Sequence, residues 1–322
     1  MIAPLAGPLA PGARVVVIAN PTSGQAEALA GQLAEALAIW RRHGWSVELI
    51  HTRASGDATQ IAARAAADGV DLVIAAGGDG TLNETLNGLV GSGTALAPLP
   101  IGTVNVWARE LALPRDIRAL AELLPSLPRY RVDVGRAGTR WFLLMAGIGF
   151  DAAVVAGLQA HDKRRLGMLA YAMRAFAIAR QYRGVRVRMV LDGRVIRRWA
   201  LMIVLGNTPL YGGVMQLTEH ARFGDGVLDV CIIRGSSIID LARAAGAALL
   251  LRRASIDPRM EHLRARDITI ETRKPLPVQV DGDLLGQTPM QFTVADRALT
   301  VLMPPARATA LFVPPTPTGG SV

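Results

Sequence analysis

Gly77-Gly78-Asp79-Gly80-Thr81 closes an apolar run and opens a helical pattern. A glycine turn in that place lets backbone N–H groups approach phosphate oxygens with no Cβ in the way. The helix N-terminus behind it adds a positive dipole end. Asp79 would repel a bare phosphate. Its presence makes sense if a magnesium ion lies between them, or if it orients a donor hydroxyl. The competing reading is an ordinary tight strand-to-helix turn. No lysine-bearing G-x-x-x-x-G-K-[ST] loop accompanies it, and G-x-G-x-x-G is absent as well.

Two further turns have the same character. Asn20-Pro21-Thr22-Ser23-Gly24 ends the first apolar run, and Pro100-Ile101-Gly102-Thr103-Val104-Asn105 ends a later one. Each alone reads as a turn. Parallel strands would place all of them on one sheet edge, and their coincidence favours a nucleotide-phosphate cradle.

The elements that must position these turns alternate. Residues 14–19 (RVVVIA) read as a buried strand, followed by a helix carrying Leu29, Leu33, Leu37 and Trp40. A strand at 46–51, a helix N-capped at Asp57, a strand at 70–76, a helix at 81–90, a strand at 96–101 and a helix at 104–111 follow. This alternation means βαβ units and a parallel sheet, up to about residue 128. The second half is mostly antiparallel β. Strands are expected at 129–136, 140–146, 185–191, 195–205, 227–233, 267–271, 277–280, 290–294 and 298–303, with a DG hairpin turn at Asp192-Gly193. Helices are expected at 163–182 and 237–253. The expected domains are therefore an α/β domain at 1–128 and a β-sandwich at 129–303, with 304–322 packing back on the first.

The 322 residues are 51% apolar, enough for a substantial core. One cysteine, Cys231, excludes a disulfide framework and points to a reducing compartment. Net charge is +9, which suits nucleic acid, anionic lipid or a phosphorylated small molecule. Aromatics at 5%, with no base-stacking cluster, argue against nucleic acid. No apolar run reaches the roughly 18 residues that span a bilayer. The proline-rich start lacks a basic signal-peptide region. The expectation is a cytoplasmic protein, with peripheral contact at the inner membrane face left open. The basic, apolar helix at 163–182 could rest on anionic lipid, or simply pack on the protein.

Asn20–Gly24, GGDGTLNE (77–84) and IGTVNVWA (101–108), in this order and spacing, resemble the catalytic domain of the diacylglycerol and sphingosine kinase superfamily, and its soluble bacterial lipid kinases above all. GIGFDA (147–152), K-x-x-L-G-x-x-A-Y (163–171), GNTPLYGGVMQLTEHARFGDGVLDV (206–230) and VQVDGD (278–283) extend the resemblance over about 14–305. It implies a NAD kinase/phosphofructokinase-like α/β domain and an antiparallel β-sandwich, with ATP and magnesium in the cleft between them. Carried over by position, Gly77, Gly78, Asp79, Gly80 and Thr81 would bind the ATP phosphates, with Asn20, Asn83, Gly102, Thr103 and Asn105 nearby. Thr52 matches a nucleotide-contacting threonine. Asp283 would be the catalytic base, where the family usually has Glu; a hairpin turn at Asp281-Gly282 is the alternative. Asp225, with the backbone oxygens of Arg222 and Val227, resembles a second metal site.

The resemblance implies an ATP- and magnesium-dependent lipid kinase of phospholipid metabolism, acting on a hydroxyl of diacylglycerol or a related lipid. A NAD kinase-like enzyme with a soluble acceptor and a nucleotide- or lipid-sensing protein without turnover are the alternatives. A homodimer stays open.

Overall fold

The computed structural model describes residues 3–21, 30–157, 182–211, 215–235 and 259–313. The helices expected at 163–182 and 237–253, and Thr22, Ser23 and Gly24, lie essentially outside the described residues. The chain forms two compact units: 1–133, 222–225 and 296–322 in the first, and 134–221 and 226–295 in the second.

The first unit begins with β1 (Arg14–Ala19), α1 (Ala30–Arg42), β2 (Ser46–His51), α2 (Asp57–Ala67), β3 (Leu72–Gly77), α3 (Asp79–Leu89), β4 (Ala95–Pro100), α4 (Val106–Glu110) and α5 (Ile117–Leu123). Strands β2, β1, β3 and β4 pair in that order, all parallel. β1 and β3 are inner strands covered on both faces. That is why they read as unbroken apolar runs, while the edge strand β2 is partly exposed. On α1, Trp40 is fully buried and its indole N–H donates to the Ala121 carbonyl at 3.0 Å. That bond satisfies a polar group that burial would otherwise leave unpaired.

The second unit takes most of β5 (Arg129–Ala137), then β6 (Arg140–Phe142), β7 (Met145–Gly149), α6 (Phe150–Gly157), β8 (Val185–Leu191) and β9 (Arg194–Gly206). It continues with β10 (Leu210–Tyr211), β11 (Met215–Gln216), β12 (Leu228–Arg234), β13 (Met260–Ala265), β14 (Asp267–Thr272), β15 (Pro277–Val280) and β16 (Asp283–Gln287). β17 (Met290–Leu302) starts in this unit and ends in the first, where Thr300 and Val301 pair with β4 in parallel. The pairing inside the second unit is antiparallel. β9 serves β8 with its first half, and β7 and β12 with its second. Phe142, Ile148, Met189, Ile203, Val230 and Phe292 belong to its core. The expected fold class, parallel α/β followed by an antiparallel sandwich, is the one observed.

Several elements differ from expectation. Asp57 is not the N-cap of α2; Gly56 is, at φ 89°, while the Asp57 carboxylate accepts the Arg53 and Ala54 amides (2.7 and 3.0 Å). α3 starts at Asp79 rather than Thr81, and α4 is shorter than 104–111. The strand expected at 140–146 is two strands, β6 and β7. Those expected at 290–294 and 298–303 are one, β17, with Arg297 at φ 47° inside it. α5, α6, β13 and β16 were not expected at all.

The helix α7 (Pro305–Phe312) lies in the first unit. Arg307 donates to the Glu110 carbonyl at 2.8 Å and reaches the buried Glu110 carboxylate at 3.4 Å. Phe223 is buried against Trp107 and Phe312, with ring centroids 5.6 and 5.9 Å away. Its amide donates to Leu311 O at 3.0 Å. Removing this ring empties the junction of a strand-end helix, a loop and the terminal helix. Phe223→Ala is expected to lower stability by about 3–5 kcal/mol, read from urea unfolding.

Candidate active site

The carboxyl ends of the four adjacent parallel strands carry the predicted residues of the first unit. Asn20 follows β1, Thr52 follows β2, Gly77 to Thr81 span the β3–α3 junction, and Gly102, Thr103 and Asn105 follow β4. Ligands on open α/β sheets bind at this edge. Asn20 Nδ2 donates to Thr81 Oγ1 at 3.3 Å, which ties the first loop to the third. Thr52 is buried, and its amide donates to the Ala19 carbonyl at 2.9 Å.

The glycines are there because a side chain would not fit, against backbone at Gly102 and against the Thr81 side chain at Gly77. A Cβ on Gly102 would sit 2.5 Å from Gly78 Cα, and one on Gly77 would sit 2.4 Å from Thr81 Oγ1. Gly80 is exposed, as is Thr103, while Gly78 and Asp79 are half-buried. Asp79 is the first residue of α3, and its Oδ1 accepts the Val106 amide at 2.8 Å. One carboxylate oxygen thereby fixes the β4–α4 loop against the β3–α3 turn. Asn105 caps α4 at φ 52°, and its Nδ2 donates to the Gly102 carbonyl at 2.7 Å. Its Oδ1 is buried with no hydrogen-bond partner among the described residues. An orphaned acceptor beside exposed backbone is the condition a bound ligand with a donor group would relieve.

Asn83 stands apart from this edge chemistry. It is 2% exposed, and its own carbonyl and side-chain oxygen both receive Asn87 Nδ2, at 2.8 and 3.3 Å.

In the second unit the Asp281-Gly282-Asp283 stretch forms a turn and carries two carboxylates. Asp281 (φ 47°) and Gly282 (φ 89°) form the tight turn between β15 and β16. The Asp281 carboxylate accepts three consecutive amides, Leu143 at 2.8 Å and Leu144 and Met145 at 3.0 Å each. Asp283 opens β16 with a half-exposed side chain, and Arg140 Nη2 lies 3.6 Å from its Oδ2.

The acid that sequence reasoning missed is Asp151. Its signal was the GIGFDA block, in which it was given no role. It is buried, accepting from the Tyr211 hydroxyl and from Gln279 Nε2, the latter at 2.6 Å. Gln279 Oε1 in turn accepts the Gly282 amide at 2.8 Å. Asp151 therefore positions the turn that presents Asp283. A Cβ on Gly147 would lie 2.0 Å from its Oδ2, so the facing strand must be bare. Burial pushes the Asp151 carboxyl above the usual range, against the opposing pull of the Tyr211 and Gln279 hydrogen bonds.

At the FGDGVLD stretch, Arg222 is buried, Asp225 is exposed and Val227 is half-buried. Among the described residues, no three or more His, Cys, Asp or Glu side chains gather into a metal-holding group. A lone carboxylate with carbonyl oxygens is a hard, oxygen-only donor set. It suits a magnesium ion that brings its remaining ligands from water and phosphate.

With this geometry in place, the likeness to known proteins is informative. Residues 14–137 match the diacylglycerol kinase catalytic domain, and residues 145–303 match the YegS C-terminal NAD kinase beta sandwich-like domain. The chain is 30% identical over 301 residues to a diacylglycerol kinase of Bacillus subtilis (strain 168), covering 92% of this chain and 99% of that one. It is 31% identical over 293 residues to a diacylglycerol kinase of Staphylococcus aureus (strain bovine RF122 / ET3-1), covering 90% and 92%. The crystal structure of a diacylglycerol kinase from Bacillus anthracis str. Sterne matches with a TM-score of 0.73 at 29% identity, over 91% of this chain and 98% of that one. The chain belongs to the diacylglycerol kinase family.

Three outcomes are expected from these contacts. Gly102→Ala forces the two loops apart and should cost about 1–3 kcal/mol in thermal unfolding, with weakened nucleotide binding by calorimetry. Asp281→Ala strands three amides and should cost about 2–4 kcal/mol in the same unfolding assay. The raised pKa of Asp151 means that folding favours its protonated form. That contribution is full below the unfolded carboxyl pKa and fades as pH rises through the folded value. Relative to Asp151→Asn, the wild type should therefore lose stability as pH rises above about 4, the unfolded carboxyl value, in urea titrations.

Proposed function

We propose that the protein is an ATP- and magnesium-dependent lipid kinase that transfers the γ-phosphoryl group of ATP to a hydroxyl of diacylglycerol or a related lipid. The observation that carries this reading is the set of glycine, threonine and asparagine loops on the carboxyl edge of one parallel sheet, in a chain of the diacylglycerol kinase family. The backbone of the Gly77–Thr81 turn, exposed at Gly80, and the N-terminus of α3 would hold the donor phosphates without a lysine. Thr103 and the unpartnered Asn105 Oδ1 would meet the nucleotide beside them.

Magnesium, when bound, would neutralise charge on the transferring phosphoryl group. Asp225 with the Arg222 carbonyl is one oxygen set that could hold it, and the Asp79 carboxylate is another. The residues of the chain do the rest. Asp283 would take the proton from the acceptor hydroxyl as the new O–P bond forms and the bond to the β-phosphate oxygen breaks, releasing ADP. Asp281, Gln279 and Asp151 hold the turn that aims it.

Transfer of radiolabel from ATP is to be measured across diacylglycerol, ceramide, sphingosine and phosphatidylglycerol, with NADP formation followed in parallel. Labelled phosphatidic acid is the expected product. Asp283→Ala should lower kcat by about 10²–10⁴-fold, and Asp283→Glu, which keeps the carboxylate, should stay within about tenfold of wild type. Full activity in Asp283→Ala would sink the base assignment. NADP formation in place of lipid labelling would sink the substrate assignment.

A further inference from the structure

Strands β8 and β9 of the second unit show two unlike faces. Val187 and Met189 turn into the core. The residues alternating with them turn out and meet their partners across the strands: Arg186 opposite Trp199, and Arg188 opposite Arg197. With Arg234 and Arg273 these line an open groove of about 1060 Å³. Glu271, ion-paired to Arg188 at 2.8 Å, is the one acid in that lining among the described residues. The Arg186 guanidinium lies over the Trp199 ring at 5.4 Å, and that ring is 51% exposed.

Like charges directly opposite across a strand pair are destabilising, and a large exposed indole gains nothing from burial. Arg188 is offset by Glu271 and Arg234 lies 4.0 Å from Glu261, while Arg186, Arg197 and Arg273 are exposed, and an anionic ligand would relieve their repulsion. Guanidinium forks match phosphate oxygens in two-point geometry. Trp is the side chain suited to the boundary between headgroups and acyl chains. Exposed Val195 extends the apolar contact on the same face of β9. The groove is open and sheet-backed, which fits an extended surface better than an enclosed small molecule. A second copy of this chain would bring the same positive face, so self-association through it is opposed.

We propose that this face docks the protein on an anionic phospholipid bilayer, with the arginines on lipid phosphates and Trp199 in the interface. The proposal stands apart from the kinase reading, because vesicle binding is measured without ATP or an acceptor lipid.

Flotation with phosphatidylcholine vesicles containing about 30% phosphatidylglycerol, against pure phosphatidylcholine vesicles, tests it. Wild type should float with the anionic vesicles and lose binding as salt rises from about 0.1 M to about 0.5 M. The triple reversal R186E/R197E/R273E should reduce partitioning at least about tenfold. A reversal of equal net charge on exposed arginines of the first unit, R42E/R64E/R115E, should reduce it less than about threefold. The neutral triple R186Q/R197Q/R273Q, checked for wild-type circular dichroism, guards against a folding defect and should still lose binding. Trp199→Ala should weaken binding to anionic vesicles as well. Equal losses in the two reversals, equal binding to neutral vesicles, or no binding by wild type each overturn the proposal. So does a duplex-DNA gel shift that the face reversal abolishes while vesicle binding is untouched.

Discussion

The strand-end edge of the first unit depends on main chain touching main chain. Gly78 and Gly102 belong to separate loops, yet no Cβ fits on Gly102 beside Gly78. That contact brings the β4 loop against the β3–α3 turn. Asp79 can then reach the Val106 amide, and Asn105 can take its positive-φ position at the head of α4. If the loops separated by the width of a methyl group, the Asp79 bond and the Asn105 cap would be strained together. The missing lysine is then less puzzling. A cradle made of main chain needs close approach more than it needs a side-chain charge, and close approach is what glycine permits.

The second unit handles its acids by separating their tasks. Asp281 is saturated by three amides, so it is a clamp on the β6–β7 connection and has little left for a substrate. Asp151 is buried and holds the turn through Gln279. Asp283 is left with an accessible carboxylate. The hairpin is therefore compatible with an acid role for the residue that follows it. A tight turn with a fixed first acid gives the third residue a defined exit direction. Asp283 is one methylene shorter than glutamate. A rigid, doubly anchored turn is the sort of support a short side chain needs to keep a constant reach.

Much of this was legible in the sequence because burial leaves a pattern. β1, β3 and β4 are covered on both faces, so RVVVIA and its successors stand out as apolar runs closed by glycine or asparagine. The two DG turns announced themselves by the positive φ that only a few residues tolerate. What failed to show was structure without a one-sided apolar signal. β13 reads MEHLRA and β16 reads DLLGQ, and neither alternates cleanly, because each is only partly covered. β17 read as two strands because Ala295-Asp296-Arg297 looks like a loop. The chain kinks there, with Arg297 at positive φ and its amide on Asp133, and the strand continues. Asp151 was invisible as a positioning group because its partners, Tyr211 and Gln279, are far away in sequence.

Charge shows most plainly how composition and register differ in what they tell. A net charge of +9 is compatible with nucleic acid, lipid or a phosphorylated metabolite, and no count of arginines separates them. Strand pairing shows where some of that charge sits. Antiparallel register puts Arg186 beside Trp199 and Arg188 beside Arg197, residues about ten positions apart in the chain. The alternation of the strands then sends them all to the side away from the core. The same alternation that makes Val187 and Met189 core residues makes Arg186 and Arg188 surface ones, so a hydrophobic face and a basic face arise from a single pattern. The distribution of charge on this face is thus set by the pairing of two strands, which the total charge does not reveal.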